Sequence, residues 1–319
     1  IIVSPTKTIT NGYLLVEKGK IKEVGSVLLK SSNAIEIDCK GKTIIPAFID
    51  LNSDLGMPKS TAVDRRRMSP DSRKENFFSW NEAIKPEFQS AENYTNNATA
   101  NENLLKAGFG FVLTHAQDGI VRGTGSVISL GAHPVYTPLV AANVTTHFSL
   151  EKGNSQQNYP SSQMGSIALL RQTLYDAKWY HKNKATAGIN LSMDALEKEL
   201  ENPIFFSTSE AVEILRGEKI AQEFELKFNY VGTGNEYQFI KQLKDLKATV
   251  IVPAYFPEAY NVNDPYINME IPLKELKHWE LAPSNPYLLA SNNIPICFTF
   301  GKNKTEKDFW SHIRKAIER

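Results

Sequence analysis

The densest chemistry in this chain lies between Thr114 and Gly125, where twelve residues carry an imidazole, a carboxylate, a guanidinium and three glycines. His115 can transfer a proton near neutral pH, Asp118 can orient its ring, and Arg122 can hold an anionic group. The same residues also read as a tight loop, with Asp118-Gly119 as turn chemistry and Asp118 and Arg122 as an internal ion pair. Both readings are open on the sequence alone. Asp54 adds a carboxylate, and His147 adds an imidazole that is as readily structural as functional. Other nucleophile or phosphate motifs are missing. Gly123-Thr124-Gly125 is not followed by Gly-Lys-Ser/Thr, and Gly-X-Ser-X-Gly does not occur. Ser161-Ser162 reads as the cap of a helix.

A hydrolytic zinc site needs about three His or carboxylate ligands around an open position. The six histidines are His115, His133, His147, His181, His278 and His312, and no two form His-X-His or His-Glu-X-X-His. His181 and His312 fall on predicted helices and read as surface residues; His278 is expected to pack against Trp279. Cys39 and Cys297 are too few for a cysteine-based metal site, and two buried thiols are expected rather than one long-range bridge.

These groups need a scaffold. Gly12–Ile21 reads as two strands joined at Lys18-Gly19, and Ile35–Asp38 alternates like a strand. Thr43–Leu51 is a nearly continuous apolar run, as in a strand buried on both faces. Residues 56–100 are polar and predict a long insertion or exposed loop, with Arg65–Arg67 as a solvated turn or an anion contact. Strands are expected at 109–114, 124–130, 144–150, 204–206, 227–231, 249–253 and 294–300. Helices are expected at 161–182, 209–224, 236–246 and 306–317. That alternation argues a parallel α/β sheet, open or closed into a barrel, whose ligands bind at the carboxyl ends of the strands.

Composition narrows the partners. Of 319 residues, 36 are Lys or Arg and 35 Asp or Glu, and this balance gives no support to nucleic-acid binding. No apolar run approaches about 18 residues, so no membrane span is expected. A hydrophobic content of 41% provides for a packed core. The five Asn-X-Ser/Thr sequons, in an Asn-rich chain, decide nothing.

Three early segments, Lys18–Gly25, Ile37–Lys42 and Ile45–Leu51, resemble the amidohydrolase superfamily, and more narrowly its imidazolonepropionase-like branch. The segments Thr114–Gly125, Tyr159–Thr173 and Lys277–Pro283 are similar to the N-terminal module of large exported Bacteroidetes-type proteins that carry two such modules in tandem. The resemblance implies an α/β fold: a (β/α)₈ TIM-like barrel over residues 46–319 with the insertion at 56–100, and a small β-sandwich to which residues 1–45 contribute. It also implies metal-assisted hydrolysis of C–N bonds in amides or cyclic amides.

The sequence departs from that pattern at each place where the superfamily holds metal or moves a proton. Asn52-Ser53-Asp54 stands where His-X-His is expected, Ser207-Thr208 and Val231-Gly232-Thr233 where two further histidines are expected, and Phe298–Gly301 where the catalytic Asp is expected. The leading expectation is therefore a module without metal ligands or cofactor, acting in binding or assembly, with zinc only if this reading of the site fails. Asn52, Thr208, Thr233 and Tyr255 would then contact the ligand. An active hydrolase rebuilt around His115, Asp118, Arg122 and Asp54 is the second reading, and a purely structural envelope subunit is the third. The resemblance implies an exported, periplasmic or cell-surface location. Its implied partners are a second amidohydrolase module or the remainder of the same polypeptide, and envelope proteins. A start at Ile1 and an end at Arg319, before a returning sandwich segment, are expected of a piece of a longer chain.

Overall fold

A computed structural model describes residues 1–27, 34–59, 68–131, 138–246, 249–260, 263 and 265–319. The chain divides into two compact units, Ile1–Phe48 and Ile49–Arg319. Arg65–Arg67 and His133 lie outside the described residues.

The first unit holds two small antiparallel ribbons. β1 (Ile2–Ser4) pairs with β2 (Lys7–Thr8), and β3 (Tyr13–Glu17) pairs with β4 (Lys20–Gly25). Lys18 and Gly19 both have positive φ, 52° and 75°, which suits a two-residue hairpin turn to the twist of its strands. The strand expected at Ile35–Asp38 is absent. Ile35 and Ile37 are 94% and 79% exposed, so the alternation there has no surface to pack against.

The second unit is built on one eight-stranded sheet in the order β5 (Phe48–Ser53), β6 (Phe109–His115), β7 (Val121–Ser129), β8 (Leu139–Ser149), β9 (Ile204–Ser207), β10 (Phe228–Val231), β11 (Val250–Pro253), β12 (Ile296–Thr299). From β8 to β12 neighbouring strands run parallel, whereas β7 is antiparallel to both β6 and β8. The fold is thus α/β with a mostly parallel central sheet. Its described helices are α1 (Ser90–Asn93), α2 (Ala98–Ala107), α3 (Gln163–Asn183), α4 (Leu191–Glu199), α5 (Val212–Phe224), α6 (Ile240–Leu243), α7 (Pro265–Glu270), α8 (Leu273–Leu281), α9 (Asn285–Ser291) and α10 (Glu306–Ile317). Where one helix was expected over 236–246, a 3₁₀ turn at Glu236–Phe239 leads into the short α6. Among the described residues no helix is long and apolar enough to cross a membrane.

The period of two along the strands sorts the core into two layers. Phe206, Phe228, Tyr230, Val250 and Val252 face the helices and pack with Leu169, Leu170 and Leu174 of α3 and Ile214 and Phe224 of α5. The alternate positions Phe205, Val231 and Ile251 join Leu113 on the other face. Each such side chain contributes about 1.5–3 kcal/mol on full burial. This two-faced burial explains why these strands read as continuous apolar runs.

Two expectations are corrected here. β7 begins at Val121 rather than at 124, so Arg122 belongs to a strand rather than a loop. The segment after residue 68 is not simply exposed: Ser79, Asn81, Glu82, Ala83, Ile84 and Ser90 are buried. Its polarity is consumed internally. Glu82 accepts from Arg73 Nε at 2.8 Å, Arg73 Nη2 at 2.9 Å and the Gln156 backbone N–H at 3.0 Å, while Ile84 joins the helix-side core.

Candidate functional site

A cavity of about 870 Å³ opens at the carboxyl ends of β5 and β9–β12. That is the end of a parallel sheet where α/β folds bind ligands, and the volume suits a small molecule. Asn52, Asp54, Arg122, Thr208, Thr233 and Tyr255 line it, whereas His115 and Asp118 do not.

Asp50, which the sequence reading passed over, organises one wall. It is buried at the end of the first apolar run and accepts from Thr299 Oγ1 at 2.6 Å, the Asn52 N–H at 3.1 Å and the Phe300 N–H at 3.2 Å. These bonds tie β5 to the end of β12. Burial pushes its pKa up to about 6 against the pull of the three donors. Glu236 does similar work beside β10. It accepts from the Thr233 and Gly234 N–H groups at 2.5 and 3.1 Å and from Asn285 Nδ2 at 2.7 Å, which sets the Gly232–Gly234 turn. Each carboxylate joins nearby N–H groups to a partner from far along the chain, Thr299 for Asp50 and Asn285 for Glu236, and that distant partner has no signal in the local sequence.

His115 lies wholly buried. Its Nδ1 is 2.9 Å from the Ala116 carbonyl and its Nε2 is 2.9 Å from the Asn52 side-chain amide. Burial and then the Arg122 charge push its pKa down to about 3, so the ring is neutral. A neutral ring has one N–H, so one of the two facing oxygens, the Ala116 carbonyl or Asn52 Oδ1, accepts it. Asp118 meanwhile pairs with Lys85 Nζ and accepts from the Asn154 N–H at 2.6 Å. The proton-transfer pair expected of His115 and Asp118 is therefore not formed, and His115 is not open to the cleft.

His147, two strands further in the sheet, stacks on His115 with centroids 3.6 Å apart and planes 8° from parallel. Its Nε2 meets Thr145 Oγ1 at 2.8 Å, and its Nδ1 is buried with no partner. Burial, then His115, then Arg122 hold its pKa well below the usual histidine value. Gly125 makes room for it: a Cβ there would stand 2.5 Å from Nε2.

Arg122 is 4% exposed. Its Nε donates to the Gly119 carbonyl at 2.9 Å, and among the described residues its ion-pair partner is Glu151, 4.0 Å away. Burial lowers its pKa to about 10, offset in part by Glu151 and Asp118. At the end of β9, Thr208 Oγ1 donates to the Val231 carbonyl at 2.8 Å, whereas Ser207 Oγ is buried without a partner. Tyr255 leans edge-on against His312, whose Nδ1 meets Asn303 at 2.8 Å, so His312 is half-buried behind the cleft's lining rather than a surface residue. His278 stacks on Tyr237 rather than on Trp279, with centroids 6.1 Å apart. Both cysteines are free thiols, partly buried.

The donor set does not fit a divalent ion. Around the cleft the strand ends offer an amide at Asn52, hydroxyls at Ser207, Thr208, Thr233 and Thr299, and two carboxylates, Asp54 and an Asp50 already engaged by three protein donors. Among the described residues no three His, Cys, Asp or Glu side chains group to hold a metal. The two imidazoles cannot substitute, because lone pairs lie in the ring planes and parallel stacked rings do not aim them at one point.

No protein-family model matches the chain, and no curated protein matches it. Among solved structures it is similar to an amidohydrolase from Thermotoga maritima, with a TM-score of 0.69 and 21% identity over 96% of this chain and 78% of that one. Two others are a protein described as uncharacterized, with a TM-score of 0.47 and 12% identity over 96% of this chain and 77% of that one, and a further amidohydrolase, with a TM-score of 0.41 and 13% identity over 97% of this chain and 78% of that one. The first likeness shows the fold, an eight-stranded α/β arrangement consistent with the TIM-like fold of amidohydrolases.

Proposed function

We propose that this chain is an amidohydrolase-superfamily barrel whose mouth binds a small polar molecule without a resident divalent metal, as a binding or assembly module of a larger polypeptide. Closure into a barrel is supported by Asp50, which joins the two outermost strands of the sheet, and by the likeness to the Thermotoga maritima structure. One observation carries the reading: at the strand ends around an open 870 Å³ cleft the described residues place the amide of Asn52 and the hydroxyls of Ser207, Thr208, Thr233 and Thr299 but no imidazole, and of the two acids there, Asp50 and Asp54, Asp50 is already engaged by Thr299, Asn52 and Phe300. The hydrolytic alternative lacks that support, since His115 is sealed from the cleft with both ring nitrogens facing protein oxygens at 2.9 Å. A mouth packed shut, as a purely structural subunit requires, is at odds with the cavity.

The test is elemental analysis of purified protein together with thermal unfolding in added zinc. The expected outcome is zinc far below one ion per chain and an unfolding midpoint that zinc leaves unchanged. Near-stoichiometric zinc, or a midpoint that rises with zinc in the micromolar range, overturns the proposal.

A further inference from the structure

Arg122 carries a charge that its surroundings leave poorly answered. Its guanidinium is almost wholly buried yet borders the cleft. Among the described residues only Nε has a hydrogen bond, to a neutral carbonyl. Glu151 stands 4.0 Å away and its side chain is 60% exposed, whereas a charge-assisted N–H···O bond spans about 2.7–2.9 Å. Asp118 is engaged by Lys85 and the Asn154 backbone. The two imidazoles nearby are neutral and offer no counter-charge. A buried cation without a close counter-ion is costly, and a site that holds one is completed by an anion.

A second observation points to the same place. Ser207 Oγ, at the end of β9, is buried with no partner and borders the same cavity. The ladder brings the two to one end of the sheet: Val121 is opposite Phe148 across β7 and β8, and Ser149 is opposite Ser207 across β8 and β9. We infer that the cleft takes a ligand bearing a carboxylate, seated on the Arg122 guanidinium with Ser207 Oγ as an additional donor. This rests on the metal-independent binding reading above and names its ligand class. A single planar fork matches a carboxylate in two parallel bonds, whereas phosphate calls for a cluster of cations, and Lys302 and Lys304 stand exposed at the rim. The cavity far exceeds a carboxylate, so the ligand has an organic body, which Thr208, Thr233 and Tyr255 would meet.

The experiment is calorimetric titration of the metal-analysed protein with succinate, with its neutral diamide succinamide and with inorganic phosphate, each with and without EDTA. Succinate is expected to bind saturably and at least tenfold tighter than either of the others. Arg122→Gln should weaken succinate at least tenfold, and Arg122→Lys should weaken it by less. Without ligand, Arg122→Gln should unfold at the wild-type midpoint or above, because it removes an uncompensated charge. Glu151→Gln should tighten succinate several-fold by removing a competing anion.

Equal binding of succinate and succinamide, preference for phosphate, or undiminished succinate binding in Arg122→Gln overturns the inference while leaving metal-independent binding standing. So does a Glu151→Gln variant that is destabilised with succinate affinity unchanged, the signature of a structural ion pair. Loss of succinate binding in EDTA instead overturns the underlying metal-independent reading.

Discussion

Replacing Asp50 by Asn isolates the cost of holding a carboxylate where β5 meets β12. The native carboxyl is 2% exposed, and its pKa rises from the ordinary 3.8 to about 6, chiefly through burial. An acid whose folded pKa lies above its unfolded one binds its proton more tightly in the native state. Stability is then greatest below about pH 4 and is lost as pH rises toward about 6. The gap corresponds to about 3 kcal/mol above that window. Asn keeps one carbonyl for Thr299 Oγ1 and the Asn52 N–H, but its NH₂ cannot accept from the Phe300 N–H as the hydroxyl oxygen of the protonated acid can. The variant should therefore lose one hydrogen bond at every pH, a cost of about 1–3 kcal/mol, and gain about 3 kcal/mol on the wild type between pH 4 and pH 7. With a urea slope of roughly 3 kcal/mol/M, that difference is a midpoint shift of about 1 M. Urea unfolding of both proteins by tryptophan fluorescence, from pH 4 to 7, gives the difference directly, and the other titrating groups cancel. Parallel curves at all pH values would refute the claim that an ionised Asp50 is a liability.

Glu199→Gln should behave alike over a wider window. Burial and then Glu87 raise Glu199 to about 9, so stability falls as pH climbs from about 4.5 toward 9. The variant should gain about 3 kcal/mol at pH 7 and nothing near pH 4; a constant difference in denaturation midpoint would count against this. Gly125→Ala sets a methyl 2.4 Å from Thr145 Oγ1 and 2.5 Å from His147 Nε2, and should cost about 1–3 kcal/mol in thermal unfolding. An unchanged midpoint there would show that His147 has room to move. Thr305→Ala removes one half of the capping box with Asp308 at the start of α10 and should cost about 1 kcal/mol; no loss of stability on chemical unfolding would contradict it.

The strands that wall the cleft were legible because their burial is written locally. Ile204-Phe205-Phe206 and Val250-Ile251-Val252 are apolar at every position since both faces are covered, one by helices and one by the inner layer. Their carboxyl ends, and with them Asn52, Thr208, Thr233 and Tyr255, followed from the direction of the chain. β7 was expected only from residue 124, its start being read with a tight loop because Gly123 and Gly125 look like turn residues. Their absent side chains instead admit neighbours: a Cβ on Gly123 would meet the Phe88 carbonyl at 2.0 Å, and one on Gly125 would meet His147. The buried stretch around Glu82 was hidden for the opposite reason, since its polar residues satisfy one another inside the fold and leave no hydrophobic period to read. Asp50 finds Thr299 from 249 residues away and His115 finds Asn52 from 63, and no local pattern records either.

The two histidines and Arg122 form one electrostatic unit, and the sign of that unit bears on what the cleft can hold. Stacked at 3.6 Å, each imidazole opposes protonation of the other, and burial opposes both. The guanidinium beside them adds a third penalty, so all three groups coexist only while the rings stay neutral. A divalent cation placed among them would face the same repulsion, with the in-plane lone pairs of parallel rings unable to converge on it. An anion faces the reverse: the neutral stack gives it no competing charge, and the guanidinium is still short of a close partner. The substitution of amides and hydroxyls around the mouth and the buried cation beneath it thus argue in the same direction. Together they disfavour a bound metal ion and favour a negatively charged small molecule.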